Sequence, residues 1–87
     1  MSNCDKDHRY AGKFDELPED QGGAGRHRCA GCAYEKGFQD GLERKEQLDL
    51  SLDSLLESQA GTVRHRSPHA AYAMGYMDGV RESYERN

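Results

Sequence analysis

Ala33-Tyr34-Glu35-Lys36-Gly37-Phe38-Gln39-Asp40-Gly41-Leu42 is followed, 38 positions later, by Ala71-Tyr72-Ala73-Met74-Gly75-Tyr76-Met77-Asp78-Gly79-Val80. In both stretches alanine, aromatic, glycine and aliphatic residues recur at spacings of three and four, which puts them on one stripe of an α-helix. A glycine inside a helix costs about 1 kcal/mol relative to alanine, so the four cost roughly 4 kcal/mol, a large share of a small domain's stability. A close contact must offset that. Glycines four apart leave a flat groove that another backbone can enter. Either the two helices cross each other at Gly37, Gly41, Gly75 and Gly79, or the grooves receive a second chain. A homodimer combines both and is the expected assembly.

The match extends outward without a gap. Asp15, Leu17, Glu19, Gln21 and Gly23 pair with Asp53, Leu55, Glu57, Gln59 and Gly61, and Arg26-His27-Arg28 pairs with Arg64-His65-Arg66. Residues 13–44 and 51–82 thus read as a tandem duplication. Each unit has a short acidic and apolar segment (Phe14–Glu19, Leu52–Glu57), a small-residue turn, Arg-His-Arg and a long helix. Two copies fall short of the three or more repeats that a solenoid needs. A closed pair related by a pseudo-two-fold axis fits better. The predicted fold class is mainly all-α: one helical domain over 13–87, preceded by an arm, 1–12, that shows no usable period and is expected to be disordered.

Helix limits follow from capping chemistry. Ser67 suits an N-cap and Pro68 the first helical position, which predicts a helix over about 68–86. The repeat puts Cys29 at the matching N-cap and predicts a helix over about 30–47. Ser51–Ser58 reads as a short helix with Leu52, Leu55 and Leu56 on one face. Pro18 limits its counterpart to about one turn. A short strand over Gln47–Leu52, where polar and apolar residues alternate, is the rival reading.

The chain has 87 residues, room for one domain. Leu, Val and Phe total 11, and Ile and Trp are absent. A chain this short and polar rarely draws more than about 3–5 kcal/mol from its core alone. A metal, a disulfide or a second subunit should help. The net charge is −4, which argues against a general nucleic-acid binder but leaves room for a local basic patch. No apolar run approaches a membrane span or a signal-peptide core, so the expected location is the cytoplasm, without a membrane partner. Asp40 and Asp78 read as solvated side chains or caps, because one carboxylate per copy without a nearby base is not a catalytic pair. No nucleophile, base and orienting group can be assembled, so neither an enzyme nor a small-molecule substrate is inferred.

Cys4, Cys29 and Cys32 are an odd number with uneven spacing, which is not a secreted disulfide framework. Cys29 and Cys32 fall at the N-cap and third position of the first helix. A helix N-terminus stabilises a thiolate, and thiolates three apart can grip one zinc ion. Two ligands do not close a tetrahedral site. His65 and His69 complete the preferred set, which requires the two helix starts to meet. His27, Cys4 and His8 are further candidates. Free, partly buried thiols and a redox pair acting through Cys29 stay open as other readings.

Arg26-His27-Arg28 and Arg64-His65-Arg66 lie just before the helix starts. Helix N-termini attract anions and arginines add bidentate donors, so the pair reads as a site for an anionic or protein partner. The competing reading pairs the arginines with the protein's own carboxylates, such as Glu19 and Glu57.

The stretch Ala33–Leu42 resembles the first helix of ribosome modulation factor, a small bacterial protein, in its Ala-x-x-x-Gly-aromatic-Gln-x-Gly-aliphatic pattern. Gly79-Val80-Arg81-Glu82 is similar to that family's second helix. The likeness covers about a quarter of the chain, and its motif consists largely of helix-packing glycines. The chain is acidic and longer, and it carries Cys-x-x-Cys. The resemblance implies ribosomal RNA contact by a pair of short helices, with the Arg-His-Arg motifs as the RNA-contacting residues.

Overall fold

The computed structural model describes residues 4, 12–19, 27–47, 50–52, 55–57 and 65–86. Two helices carry it, α1 (Ala30–Leu42) and α2 (Pro68–Glu85), with a 3₁₀ turn over Gly12–Glu16 before them. The described residues include no strand, so the chain is mainly helical. No helix among them is long and apolar enough to cross a membrane.

α2 begins where its capping residues put it. The Ser67 hydroxyl accepts the Ala70 N–H at 3.1 Å, and Pro68 fills the first turn, where a missing N–H leaves nothing unsatisfied. α1 ends earlier than about residue 47, the end that periodicity predicts. Arg44 adopts a left-handed backbone with φ 52°. Its N–H reaches Gly41 O at 3.0 Å and the Lys45 N–H reaches Asp40 O at 3.0 Å. This is a Schellman closure. Glycine usually fills that position, so an arginine there gives no sequence signal. Arg44 is held instead from α2: its Nε donates to Ser83 Oγ at 2.9 Å and its guanidinium lies 3.9 Å from the Tyr84 ring centroid.

The glycines decide how the helices meet. A Cβ added at Gly37 would run into the Tyr72 carbonyl oxygen, and one at Gly41 into that of Tyr76. Cβ atoms at Gly75 and Gly79 would strike the carbonyl oxygens of Tyr34 and Phe38. The four glycines therefore lie in the contact between α1 and α2, each groove receiving the other helix. Gly37 faces the backbone of Tyr72 and Tyr76 while Gly41 faces that of Tyr76 and Val80. Positions advance together on both helices, so α1 and α2 run in the same direction. Each glycine Cα–H points at a carbonyl, the arrangement of a weak Cα–H···O bond. Four such bonds at about 0.5–1 kcal/mol each, with the packing around them, offset most of the roughly 4 kcal/mol that the glycines cost as helix residues.

Parallel helices need a return connection, and its described parts pack across the helix starts. The Cys29 N–H donates to Leu56 O at 2.6 Å, and the Ser67 N–H to Pro18 O at 2.7 Å. Arg28 Nη1 donates to Leu55 O at 3.0 Å, and Arg66 Nη1 to Leu17 O at 3.1 Å. Antiparallel bridges join Arg28 to Glu57 and Glu19 to Arg66. The predicted helix over Ser51–Ser58 does not run its length. Leu52 closes a turn onto the Leu55 N–H at 3.1 Å, and by Glu57 the backbone is in its bridge. Backbone pairing with Arg28 overrides the helical spacing of the leucines. Of the rival strand, Gln47 and residues 50–52 are not extended pairs, and 48–49 lie outside the described residues. Cys4 belongs to the stretch read as a disordered arm; it is buried, and its N–H donates to Glu57 O at 2.6 Å. Residues 1–3 and 5–11 lie outside the described residues.

The core sits under the helix starts. Phe14, Cys29, Ala30, Ala33 and Ala71 are fully enclosed, with Leu17, Leu55 and Tyr72 beside them. Phe14 meets the Tyr34 ring edge-on, with centroids 5.7 Å apart.

The two aspartates correct the expectation of solvated side chains. Asp40 is buried, with 1 % of its surface exposed. It accepts hydrogen bonds from the Tyr72 hydroxyl and from Lys36 Nζ at 2.8 Å, and Lys45 Nζ lies 3.3 Å away. Asp78 is half-buried and accepts the Tyr34 hydroxyl at 2.6 Å. Each helix thus supplies a tyrosine to the other's aspartate. Burial, with the Asp78 carboxylate beside it, pushes the Tyr34 hydroxyl up to about 12.

Gly75→Ala should lower stability by about 3 kcal/mol, because the new methyl meets main chain that cannot rotate away. Gly12→Ala, where an added Cβ meets nothing within 4 Å, should leave it within about 0.5 kcal/mol. Urea unfolding of both variants checks this, and equal midpoints would rule out the crossing described here.

Burial alone would raise the Asp40 pKa, but the bonds from Lys36, Tyr72 and Lys45 together outweigh it and hold the carboxyl below its ordinary 3.8. The folded state therefore binds this proton less readily than the unfolded chain. The resulting stabilisation is complete above about pH 4 and is lost as pH falls through the lower folded value. Urea midpoints measured from neutral pH downward should fall in that window, and Asp40→Asn should flatten the fall. An unchanged acid dependence in the variant would discard this assignment.

Candidate metal centre

Three sulfurs converge at the start of α1. Cys29 is its N-cap residue, with extended backbone, and its side chain makes no capping hydrogen bond. Cys32 follows one turn into the helix. Cys4 arrives from the N-terminal end of the chain. Neighbouring carbonyls of one segment hold two of the three backbones: Leu56 O takes the Cys29 N–H, and Glu57 O takes that of Cys4. That segment is itself fixed by the Arg28–Glu57 bridge and by the Arg28 guanidinium on Leu55 O.

The sulfurs of Cys4, Cys29 and Cys32 all lie within 4.8 Å of one another, and those of Cys4 and Cys32 are 3.6 Å apart. Zinc–sulfur bonds of about 2.3 Å at tetrahedral angles require sulfurs about 3.8 Å apart. The cluster is therefore of the right size to hold one ion. Cys29 is fully enclosed, Cys4 is 5 % exposed and Cys32 is half-buried, so an ion there would be largely shielded from water.

The thiol chemistry differs from what a helix N-terminus alone suggests. The neighbouring Cys32 thiol and burial push the Cys29 thiol far above the ordinary range. A helix dipole favours thiolate, but here desolvation and a second sulfur outweigh it. A cation that replaces the protons would reverse the balance, since a coordinated thiol is deprotonated.

The histidines preferred as the remaining ligands are elsewhere. Among the described residues the cluster comprises the three cysteines, and neither His65 nor His69 belongs to it. His69 is exposed near the start of α2. His65 takes a left-handed backbone with φ 69° and packs its ring edge-on against His27, with centroids 5.3 Å apart. The helix starts do come together, as the histidine set requires, but that proximity joins His65 to His27 and not to the sulfurs. Cys4 supplies the third sulfur. The available signal was the odd cysteine count. His8 lies outside the described residues.

The central histidines of the Arg-His-Arg motifs meet at the same end of the molecule, in the His27–His65 contact. The motifs' third residues are structural: the Arg28 and Arg66 guanidinium groups donate to the Leu55 and Leu17 carbonyls. Arg26 and Arg64 lie outside the described residues.

Comparison with known protein families, with curated proteins and with solved structures gives no match to this chain.

Proposed function

We propose that this chain is a small, non-enzymatic binding module whose fold is pinned by zinc, with Cys4, Cys29 and Cys32 as three of the four donors that a tetrahedral site takes. The convergence of the three sulfurs carries this reading. They come from sequence positions 25 and more residues apart in the case of Cys4 and Cys29, and a core with few large apolar residues gains most from such a tie. Zinc supplies charge for three thiolates. The chain's own residues hold the sulfurs in place through Leu56 O and Glu57 O. The burial of Cys29 and the upward push on its thiol count against its use as a redox nucleophile.

The body we infer is a pair of equivalent halves, 13–44 and 51–82, about a pseudo-two-fold axis. Its support is the exchange of roles at a 38-residue offset. Arg28 on Leu55 answers Arg66 on Leu17, and Tyr34 on Asp78 answers Tyr72 on Asp40. Such an axis passes between His27 and His65 and joins these two histidines into one face. That face is the partner-binding surface of this proposal, and it fits an anionic or acidic protein partner. The Cys-x-x-Cys pair exists in one half alone, because Ser67 and Ala70 stand where the other half has Cys29 and Cys32, and Cys4 precedes both halves.

Native mass spectrometry of protein purified without chelator should find about one zinc per chain, and chelation should lower the melting temperature. Cys4→Ser and Cys32→Ser should each lose the metal and the chelator response. Less than about half an equivalent of zinc would reject the structural metal site. The same spectrum reads whether copies pair. Ribosomal RNA, the partner implied by the sequence resemblance, competes with a protein partner. Phosphate-driven RNA binding would weaken steeply with added salt, and a flat response excludes it.

A further inference from the structure

We propose that Cys4 and Cys32 form a reversible disulfide when hydrogen peroxide reaches the cluster, leaving Cys29 as a thiol. Their sulfurs are 3.6 Å apart. A disulfide needs about 2.05 Å, so side-chain rotation has to close a gap of about 1.5 Å. The three cysteines differ in access. Cys32 is half-buried, whereas Cys4 and Cys29 are buried. The oxidant therefore meets Cys32 first.

The second sulfur is chosen by position: Cys4 Sγ lies 3.6 Å from Cys32 Sγ, whereas Cys29 is fully enclosed. Cys29 is fixed as the N-cap of α1: its N–H is held by Leu56 O, and its carbonyl accepts the Ala33 N–H at 3.3 Å. Cys29 and Cys32 share one helix start, where a Cys-x-x-Cys pair can also close, so their bond is the competing product. Cys4 lies on a separate segment, seated at Glu57 O, so its bond to Cys32 would tie that segment to α1.

The chemistry balances. The Cys32 sulfur attacks one peroxide oxygen, the O–O bond breaks, and the other oxygen leaves as water after taking a proton. The sulfenic acid on Cys32 is then attacked by the Cys4 sulfur. The S–O bond breaks, the S–S bond forms, and the hydroxide leaves as a second water. Two thiols are oxidised by two electrons and one peroxide is reduced to two waters. A cellular thiol reverses the bond by exchange.

The crosslink removes two of three sulfur donors, so it expels the metal; this consequence rests on the zinc reading above. It also replaces a metal tie between residue 4 and α1 with a covalent one.

The test uses the full chain, reduced and metal-free, treated with about one equivalent of hydrogen peroxide. Cleavage after Arg28 and Lys36 leaves Cys29 and Cys32 on one peptide, so fragmentation between them assigns the bond. The expected product is an intrachain Cys4–Cys32 link with a loss of about 2 Da. Cys29→Ser should form it within about twofold of the parent rate, and Cys4→Ser should not form it. A Cys29–Cys32 link, an interchain link, or sulfinic acid on Cys32 without a crosslink overturns the proposal. In the zinc-loaded chain, release to a chromogenic chelator should track crosslinking. Metal retained after complete crosslinking overturns the expulsion. A chain that takes up no zinc removes the metal reading alone, and the peptide map of the metal-free protein still decides the disulfide.

Discussion

Two helices can bring their backbones together only where both lack side chains along the contact. In this chain the gaps are Gly37 and Gly41 on α1 and Gly75 and Gly79 on α2, and each is filled by a carbonyl of the opposite helix. That registration makes the helices parallel and aligns their starts. Everything else at that end follows from the alignment. Phe14, Leu17 and Leu55 have a floor to bury against, His27 meets His65, and the return segment can lay Leu56 and Glu57 beside Cys29. The same closeness makes the tyrosine–aspartate ties possible, because Tyr34 and Tyr72 reach across a gap that bulkier helix faces would widen.

Charge is handled differently on the two sides of this contact. Asp40 is enclosed and is compensated by Lys36 and Lys45 as well as by Tyr72. Asp78 is half-buried, with Arg81 at 3.9 Å. A buried carboxylate without such partners would be costly, and one that has them is weak evidence for stability but constrains geometry. Lys45 belongs to the closure that ends α1, so the same residue terminates the helix and neutralises its buried acid. The cysteine cluster sits at the other end, where α1 begins. Two groups unlike in chemistry thus lie at the two ends of one short helix.

The sequence was most legible where one residue type has one physical use. Glycines four apart on an apolar stripe demand a close partner, and Ser67-Pro68 demands a helix start. It was least legible where tertiary contacts hold a residue against its own preference. Arg44 ends α1 in a conformation usually given to glycine because Ser83 and Tyr84 hold its side chain. Leu52, Leu55 and Leu56 have helical spacing, yet Glu57 pairs with Arg28. Asp40 looks like a surface residue until Tyr72, Lys36 and Lys45 surround it.

The candidate site divides along the same line. Cys29 and Cys32 are three apart at a helix start, and local geometry alone puts both sulfurs at one end of α1. Which residue joins them is a question of long-range packing, and pattern favoured His65 and His69 over Cys4, His8 and His27. Among the described residues the fold instead seats Cys4 on Glu57 O beside the pair and turns His65 toward His27. Periodicity and capping are encoded within a few neighbouring residues, and so the sequence determined the two helices, their glycine faces and the thiol pair. The third sulfur, the buried aspartate and the early end of α1 depend on residues tens of positions away, and those meet only after the glycines have closed the helices together.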